Sequence, residues 1–264
     1  MPDTLLHTIK QNGKYYLMEA AGIAGFVILA GGLTIFLEHP AMPVMKTWLW
    51  HYPFLRRVLL GIGIGLYVTG TIKLFGKLSG THVNPSVTGA FLRLGNITFI
   101  NALNYVIAQF IGALAGFFLL KWLANDLFSY PSIDYGISKP QPPHSLLTAF
   151  IAEFVISFLL MITTLMMSGS RKWEKHIAVV TGILLALYII FELPYSGMSM
   201  NPARSFAAAL GTNQWDGLWI YFTSPILATL LAAEVFLIWK KKRLNGQHPD
   251  HRNISIYPVI KKVL

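Results

Sequence analysis

Cysteine is absent from the 264 residues. Disulfides, thiol nucleophiles and thiolate metal sites are therefore excluded. Charge is scarce as well: Asp, Glu, Lys and Arg make up 12% of the chain, where a soluble domain carries about 25%. A surface this poor in charge does not face water over most of its area. Catalytic signatures are missing too. The chain has no His-Glu-x-x-His pair, no phosphate-binding glycine loop and no paired carboxylates beside a nucleophile. The histidines, among them His39, His51, His144, His248 and His251, are scattered without metal-ligand spacing. No enzyme, cofactor or metal is expected.

What the chain has is apolar length. Hydrophobic residues make up 54% of it, concentrated in runs at 15–37, 54–76, 98–123, 146–168, 177–194 and 217–239. A bilayer-spanning helix needs roughly 20 such residues, and soluble core helices normally keep a polar face. An all-α membrane protein with six transmembrane helices is expected. The opening segment MPDTLLHTIKQNGKY is polar and lacks a signal-peptide cleavage pattern, so the first span is expected to be retained.

The formal charge of +10 is unevenly distributed. With alternating spans, Lys10, Lys14, Lys73, Lys77, Arg93, Arg171, Lys172, Lys175 and Lys240 to Arg243 fall on one side. The other side holds Lys46, Arg56, Arg57 and Lys139 among Glu38, Asp126, Asp134 and Asp216. The positive-inside rule places both termini in the cytoplasm. A basic chain can also bind nucleic acid, but no soluble domain presents a basic stripe here. The cations read as topology signals and contacts to anionic membrane lipid. A multi-pass protein of the cell (inner) membrane is expected.

The two halves resemble each other. Residues 79–85 read Ser-Gly-Thr-His-Val-Asn-Pro and residues 196–202 read Ser-Gly-Met-Ser-Met-Asn-Pro. Each half also carries a glutamate in its first span, Glu19 and Glu153. Three spans per half is an odd number, so the halves must be inverted relative to one another, which is a transport architecture. The expected organisation is a first repeat at 1–133, a Pro-rich linker at 134–145 on the side away from the termini, a second repeat at 146–243 and a cytoplasmic tail at 244–264.

Each Asn-Pro suits a helix start: asparagine caps well, and proline fits the first turn, where its missing N–H costs nothing. Short helices are expected over Ser86–Phe91 and Ala203–Leu210, entered through loops dipping into the membrane. Such backbone survives at membrane depth only if buried in protein or lining a wet cavity. Two helix N-termini meeting at the midplane create a positive potential that repels cations. Asn84 and Asn201 would each offer an amide donor to a passing oxygen.

Taken together, Asn84-Pro85-Ser86-Val87-Thr88 and Asn201-Pro202-Ala203-Arg204-Ser205, with the glutamates, Ala108-Gln109 and the Tyr221–Pro225 stretch, resemble the signature pattern of the aquaporin (major intrinsic protein) family over about residues 14–240. The resemblance implies a right-handed six-helix bundle with two re-entrant half-helices, a homotetramer with one pore per subunit, and passive flow of water or small neutral solutes. Ser86 departs from the usual Asn-Pro-Ala. By the same resemblance Glu19 and Glu153 brace the loops, and Arg204 belongs to the selectivity constriction.

Counting from the two asparagines puts Ile64, Ile189 and Met198 at the other constriction positions. Water-selective members typically carry an aromatic residue and a histidine where this chain has two isoleucines. The implied ring has one strong donor and apolar walls, which tolerate glycerol, urea or hydrogen peroxide. Ser205, Ala209 and the Tyr221–Phe222 pair match the water-channel branch instead. His82, close before Asn84, is a candidate pH gate, although a histidine there can also simply orient the loop. A secondary active transporter remains an alternative, since inverted repeats and intramembrane glutamates occur there too, and a closed pore with a structural role is another.

Overall fold

A computed structural model describes residues 5–245; the tail expected at 244–264 lies, from residue 246 on, outside the described residues. Among the described residues every regular element is helical. The long helices are α1 (Leu5–Glu38), α2 (Pro53–Phe75), α4 (Phe99–Phe128), α5 (Leu146–Ser168), α6 (Ile177–Phe191) and α9 (Leu218–Asn245). Short helices α3 (Pro85–Arg93) and α8 (Pro202–Thr212) follow the two Asn-Pro pairs, and a single turn, α7 (Leu193–Ser196), leads into the second of them. Among the described residues six helices are long and apolar enough to cross a membrane.

Two boundaries differ from expectation for visible reasons. α1 begins ten residues before the first apolar run, because its polar first turns have their own partner: Asn12 Nδ2 donates to Asn101 Oδ1 at 3.0 Å and Tyr16 Oη to the same oxygen at 2.5 Å. α4 continues past the apolar run to Phe128, but Ala124 leaves helical geometry (φ −143°, ψ 36°), so the helix bends where its hydrophobic stretch ends.

The bundle is built from close helix pairs: α1 against α4, α2 against α6, α5 against α9. Glycine makes two of these contacts possible. A Cβ on Gly112 would sit 2.2 Å from Ala20 O, and one on Gly65 2.5 Å from Gly182 O. Helices that lack a hydrophobic drive for association in lipid rely on such backbone approach. The outward faces stay apolar, with Leu66, Leu74, Ile111, Trp122, Ile151 and Leu227 all exposed. On a soluble protein an apolar surface of that extent would be an aggregation hazard. At the end away from the termini, Arg56 pairs with Glu38 at 2.9 Å and Lys139 pairs with Asp134.

Candidate functional site

The two Asn-Pro segments are built alike. Asn84 (φ −157°, ψ 124°) and Asn201 (φ −138°, ψ 106°) are extended N-caps. Asn84 Oδ1 accepts from Ser86 N at 2.9 Å, and Asn201 Oδ1 from Ala203 N at 3.1 Å and Arg204 N at 3.4 Å. With the oxygen thus engaged, each amide NH2 points away from its own helix. Asn84 Nδ2 donates to Met200 O at 2.7 Å and Asn201 Nδ2 to Val83 O at 2.8 Å. Each loop is therefore tied to the other through its asparagine. This modifies the expectation that the amides face solute: one N–H of each is used for the crossed link, and an amide NH2 carries a second.

Ahead of each asparagine the backbone adopts the same alternation of left-handed residues: Gly80 (φ 83°), Thr81 (49°) and Val83 (49°) in one loop, Gly197 (82°), Met198 (47°) and Met200 (56°) in the other. Positive φ is costly for residues other than glycine, most of all β-branched ones, and persists only where the surroundings impose it. The two glutamates do so. Glu19 is fully buried and accepts from Ser79 Oγ (2.8 Å), His82 N (3.0 Å), Val83 N (2.5 Å) and Gln109 Nε2 (2.8 Å). Glu153, equally buried, accepts from Ser196 Oγ (2.8 Å), Ser199 N (2.6 Å) and Met200 N (2.7 Å). Loop N–H groups with no helical partner are satisfied in this way. Gly197 is required twice over, since a Cβ there would also lie 2.6 Å from Lys139 N in the linker.

Sequence reasoning missed the second layer of support. Tyr105 Oη donates to Ser79 O at 2.7 Å and Tyr221 Oη to Ser196 O at 2.5 Å, both buried. The repeated Ser-Gly that opens each motif was the available signal: its serine joins glutamate through the hydroxyl and tyrosine through the carbonyl. Gln109 has no counterpart in the second half, where Pro225 stands in α9.

A cavity of about 150 Å³ runs along these loops, far above the roughly 10–15 Å³ that one water needs. Asn84, Asn201, His82 and Met198 line it, together with Thr181 and Leu185 of α6 and Ser157 of α5. Ile64 and Ile189 do not line it. They are buried in one apolar cluster with Met198, which does line it. Arg204 joins them there: its Nη1 donates to Met198 O at 3.3 Å and to Ser138 Oγ, and Nη2 to Gly136 O at 3.4 Å. Of the four residues counted from the asparagines, Ile64, Ile189 and Met198 share a cluster, and Arg204 reaches it through the Met198 carbonyl.

His82 is buried, stacked on the Phe91 ring at 4.6 Å and bonded through Nδ1 to Thr88 Oγ1 at 3.2 Å. Ser86 fits the loop by its backbone, its carbonyl accepting from Thr229 Oγ1 at 2.9 Å, but its buried hydroxyl has no partner. An unsatisfied buried hydroxyl costs about 1–3 kcal/mol. Ser86→Ala is accordingly expected to raise stability by about 1 kcal/mol, read as a higher melting temperature of the purified protein in detergent. A lower one would mean that the hydroxyl is satisfied by water.

A six-helix membrane bundle with two half-helices joined head to head through Asn-Pro caps defines a channel-like architecture. The Major intrinsic protein family profile matches residues 11–236, and the chain belongs to that family. It is 33% identical over 186 residues to Aquaporin NIP3-1 of Oryza sativa subsp. japonica, 70% of this chain and 58% of that relative. It is 33% identical over 184 residues to Aquaporin-4 of Homo sapiens, 68% of this chain and 55% of that relative. The chain thus spans a little over half the length of these curated relatives. In fold it is similar to the X-ray structure of the aquaglyceroporin from Plasmodium falciparum, with a TM-score of 0.73 and 18% identity over 89% of this chain and all of that one.

Proposed function

We propose that this chain is a passive channel for water and small uncharged solutes that excludes ions and protons. The observation that carries the reading is the pair of crossed links, Asn84 to Met200 O and Asn201 to Val83 O, at the wall of a cavity of about 150 Å³. Two helix N-termini face one another there, and their dipoles oppose a cation while leaving a neutral solute free. The family membership supports the same reading.

Within it, Ile64, Ile189, Met198 and Arg204 form the constriction, and Glu19 and Glu153 hold the loops that build it. His82 braces the first loop, in keeping with its stacked, hydrogen-bonded ring. The halves at 1–133 and 146–243 are inverted repeats, with both termini in the cytoplasm. Lys and Arg are more numerous at the end that carries the termini, which supports that orientation. The exposed apolar flanks suit lipid and a homotetramer.

Stopped-flow swelling and shrinkage of proteoliposomes tests the reading. Fast water flux with low activation energy is expected, and glycerol uptake alongside it, because two isoleucines and a methionine present apolar walls. Absence of both fluxes from folded protein would sink the proposal, and dependence on a proton or sodium gradient would favour an active transporter. Ile189→His adds bulk and a polar contact to the constriction. It is expected to lower glycerol permeability about tenfold, within the 10–200-fold that one or two methylenes' worth of pocket shape can discriminate, and to spare water more than glycerol. Equal effects on both solutes would place Ile189 outside the narrow point.

A further inference from the structure

The chain has no cysteine and nine methionines, so its oxidisable sulfur is all thioether. Three of these methionines, Met161, Met198 and Met200, line the cavity. Met161 stands about one turn beyond Ser157 on the face of α5 that borders it. Met198 and Met200 flank Ser199 in the loop before α8. The equivalent positions of the first loop, Thr81 and Val83, share the left-handed backbone but carry no sulfur. The thioethers are thus confined to the wall built by the second half.

The two loop methionines have little freedom to shift their main chain. Met198 N donates to Ser196 Oγ at 3.0 Å, and Met198 O accepts from Arg204 Nη1 at 3.3 Å. Met200 N donates to Glu153 Oε2 at 2.7 Å, and Met200 O accepts from Asn84 Nδ2 at 2.7 Å. With the backbone held on both sides, the side chain must absorb any change at its sulfur. Both methionines belong to the cluster of Ile64, Ile156 and Ile189, in which Tyr188 alone among the described residues carries a side-chain donor. A polar oxygen buried there without a donor is costly. The cavity is the side on which such an oxygen is tolerated.

We propose that Met161, Met198 and Met200 form a peroxide-modification site in the wall of the pore, and that their conversion to sulfoxide obstructs it. The reactant is a hydroperoxide small enough to enter, hydrogen peroxide being the smallest. A thioether lone pair takes one peroxide oxygen as the O–O bond breaks. Sulfur is oxidised and the peroxide reduced; the departing hydroxide takes the proton of the transferred oxygen and leaves as water. Each event turns a flexible apolar side chain into a polar one that is larger by an oxygen. That oxygen projects into the cavity and narrows it. The inference rests on the channel reading above and adds a chemical control to it.

The test treats the folded protein in proteoliposomes with hydrogen peroxide, or with chloramine-T, a bulky anionic oxidant. Sulfoxides are then mapped by peptide mass spectrometry and osmotic water flux is measured. Peroxide is expected to oxidise the three pore methionines and to lower water flux about tenfold, the lower end of what one added group in a fitted pocket discriminates. Chloramine-T, too large to enter, is expected to spare all three. A variant combining Met161→Leu, Met198→Leu and Met200→Leu is expected to keep its own untreated flux under peroxide. Should it fail to fold, Met200→Leu is read instead, and its loss is expected to be smaller than the parent's. Pore methionines left unoxidised by peroxide, or an equal loss of flux in parent and variant, would overturn the inference. A parent that passes water equally before and after the three are oxidised would overturn it while leaving the channel reading intact. An untreated parent that passes no water would remove both.

Discussion

Replacing Glu153 by alanine is expected to cost about 4–6 kcal/mol and to abolish flux. The carboxylate accepts from the Ser196 hydroxyl and from the N–H groups of Ser199 and Met200. Each donor left unpaired in the interior costs about 1–3 kcal/mol. Two of them belong to a stretch already holding Met198 and Met200 at positive φ, which relaxes once the glutamate no longer holds it. Set against a total stability of about 5–15 kcal/mol, the loss is a large fraction. Thermal unfolding of the purified protein in detergent reads it directly. Glu153→Gln should fall between, since the amide keeps one acceptor but turns an NH2 toward the backbone donors. A melting temperature for Glu153→Ala equal to that of the parent would show that the loop holds its shape without the carboxylate.

Arg204→Val is expected to raise cation permeability about thirtyfold and leave the bundle folded. The guanidinium lies at the proposed constriction and makes no ion pair among the described residues, its hydrogen bonds all going to neutral oxygens, so part of its charge is left to oppose a passing cation. At ~8 Å and an effective dielectric of about 20, a unit charge opposes another by about 2 kcal/mol, which is about thirtyfold in rate. The half-helix dipoles remain in the variant, so exclusion weakens without disappearing. Proteoliposomes loaded with a pH-sensitive dye measure the proton leak, and methylammonium uptake measures a larger cation. Cation flux equal to that of the parent would assign the barrier to the half-helix N-termini alone.

The comparison of halves explains why some of the site could be read early and some could not. Asn84 and Asn201 were legible because capping is local: the side-chain oxygen bonds the N–H of the residue two further on, and proline fixes the first turn. Glu19 and Glu153 stood out because a charge inside an apolar run demands compensation. The roles of their serine partners, and of the tyrosines that hold those serines by the carbonyl, were not legible, since they depend on where other helices bring them.

By itself the sequence determined the number of membrane helices, the two half-helix starts and the residues that would be buried with charge, because hydropathy and N-capping act within a turn or a span. Only the tertiary structure decided that each asparagine amide binds the opposite loop, across 116 and 118 residues of chain. It alone decided as well that α4 bends at Ala124, and that Ile64 and Ile189 pack with Met198, whose carbonyl binds Arg204. These are pairings between segments that no local rule relates. They follow from close helix approach at glycine and from buried N–H groups that find their acceptors only once the bundle has closed.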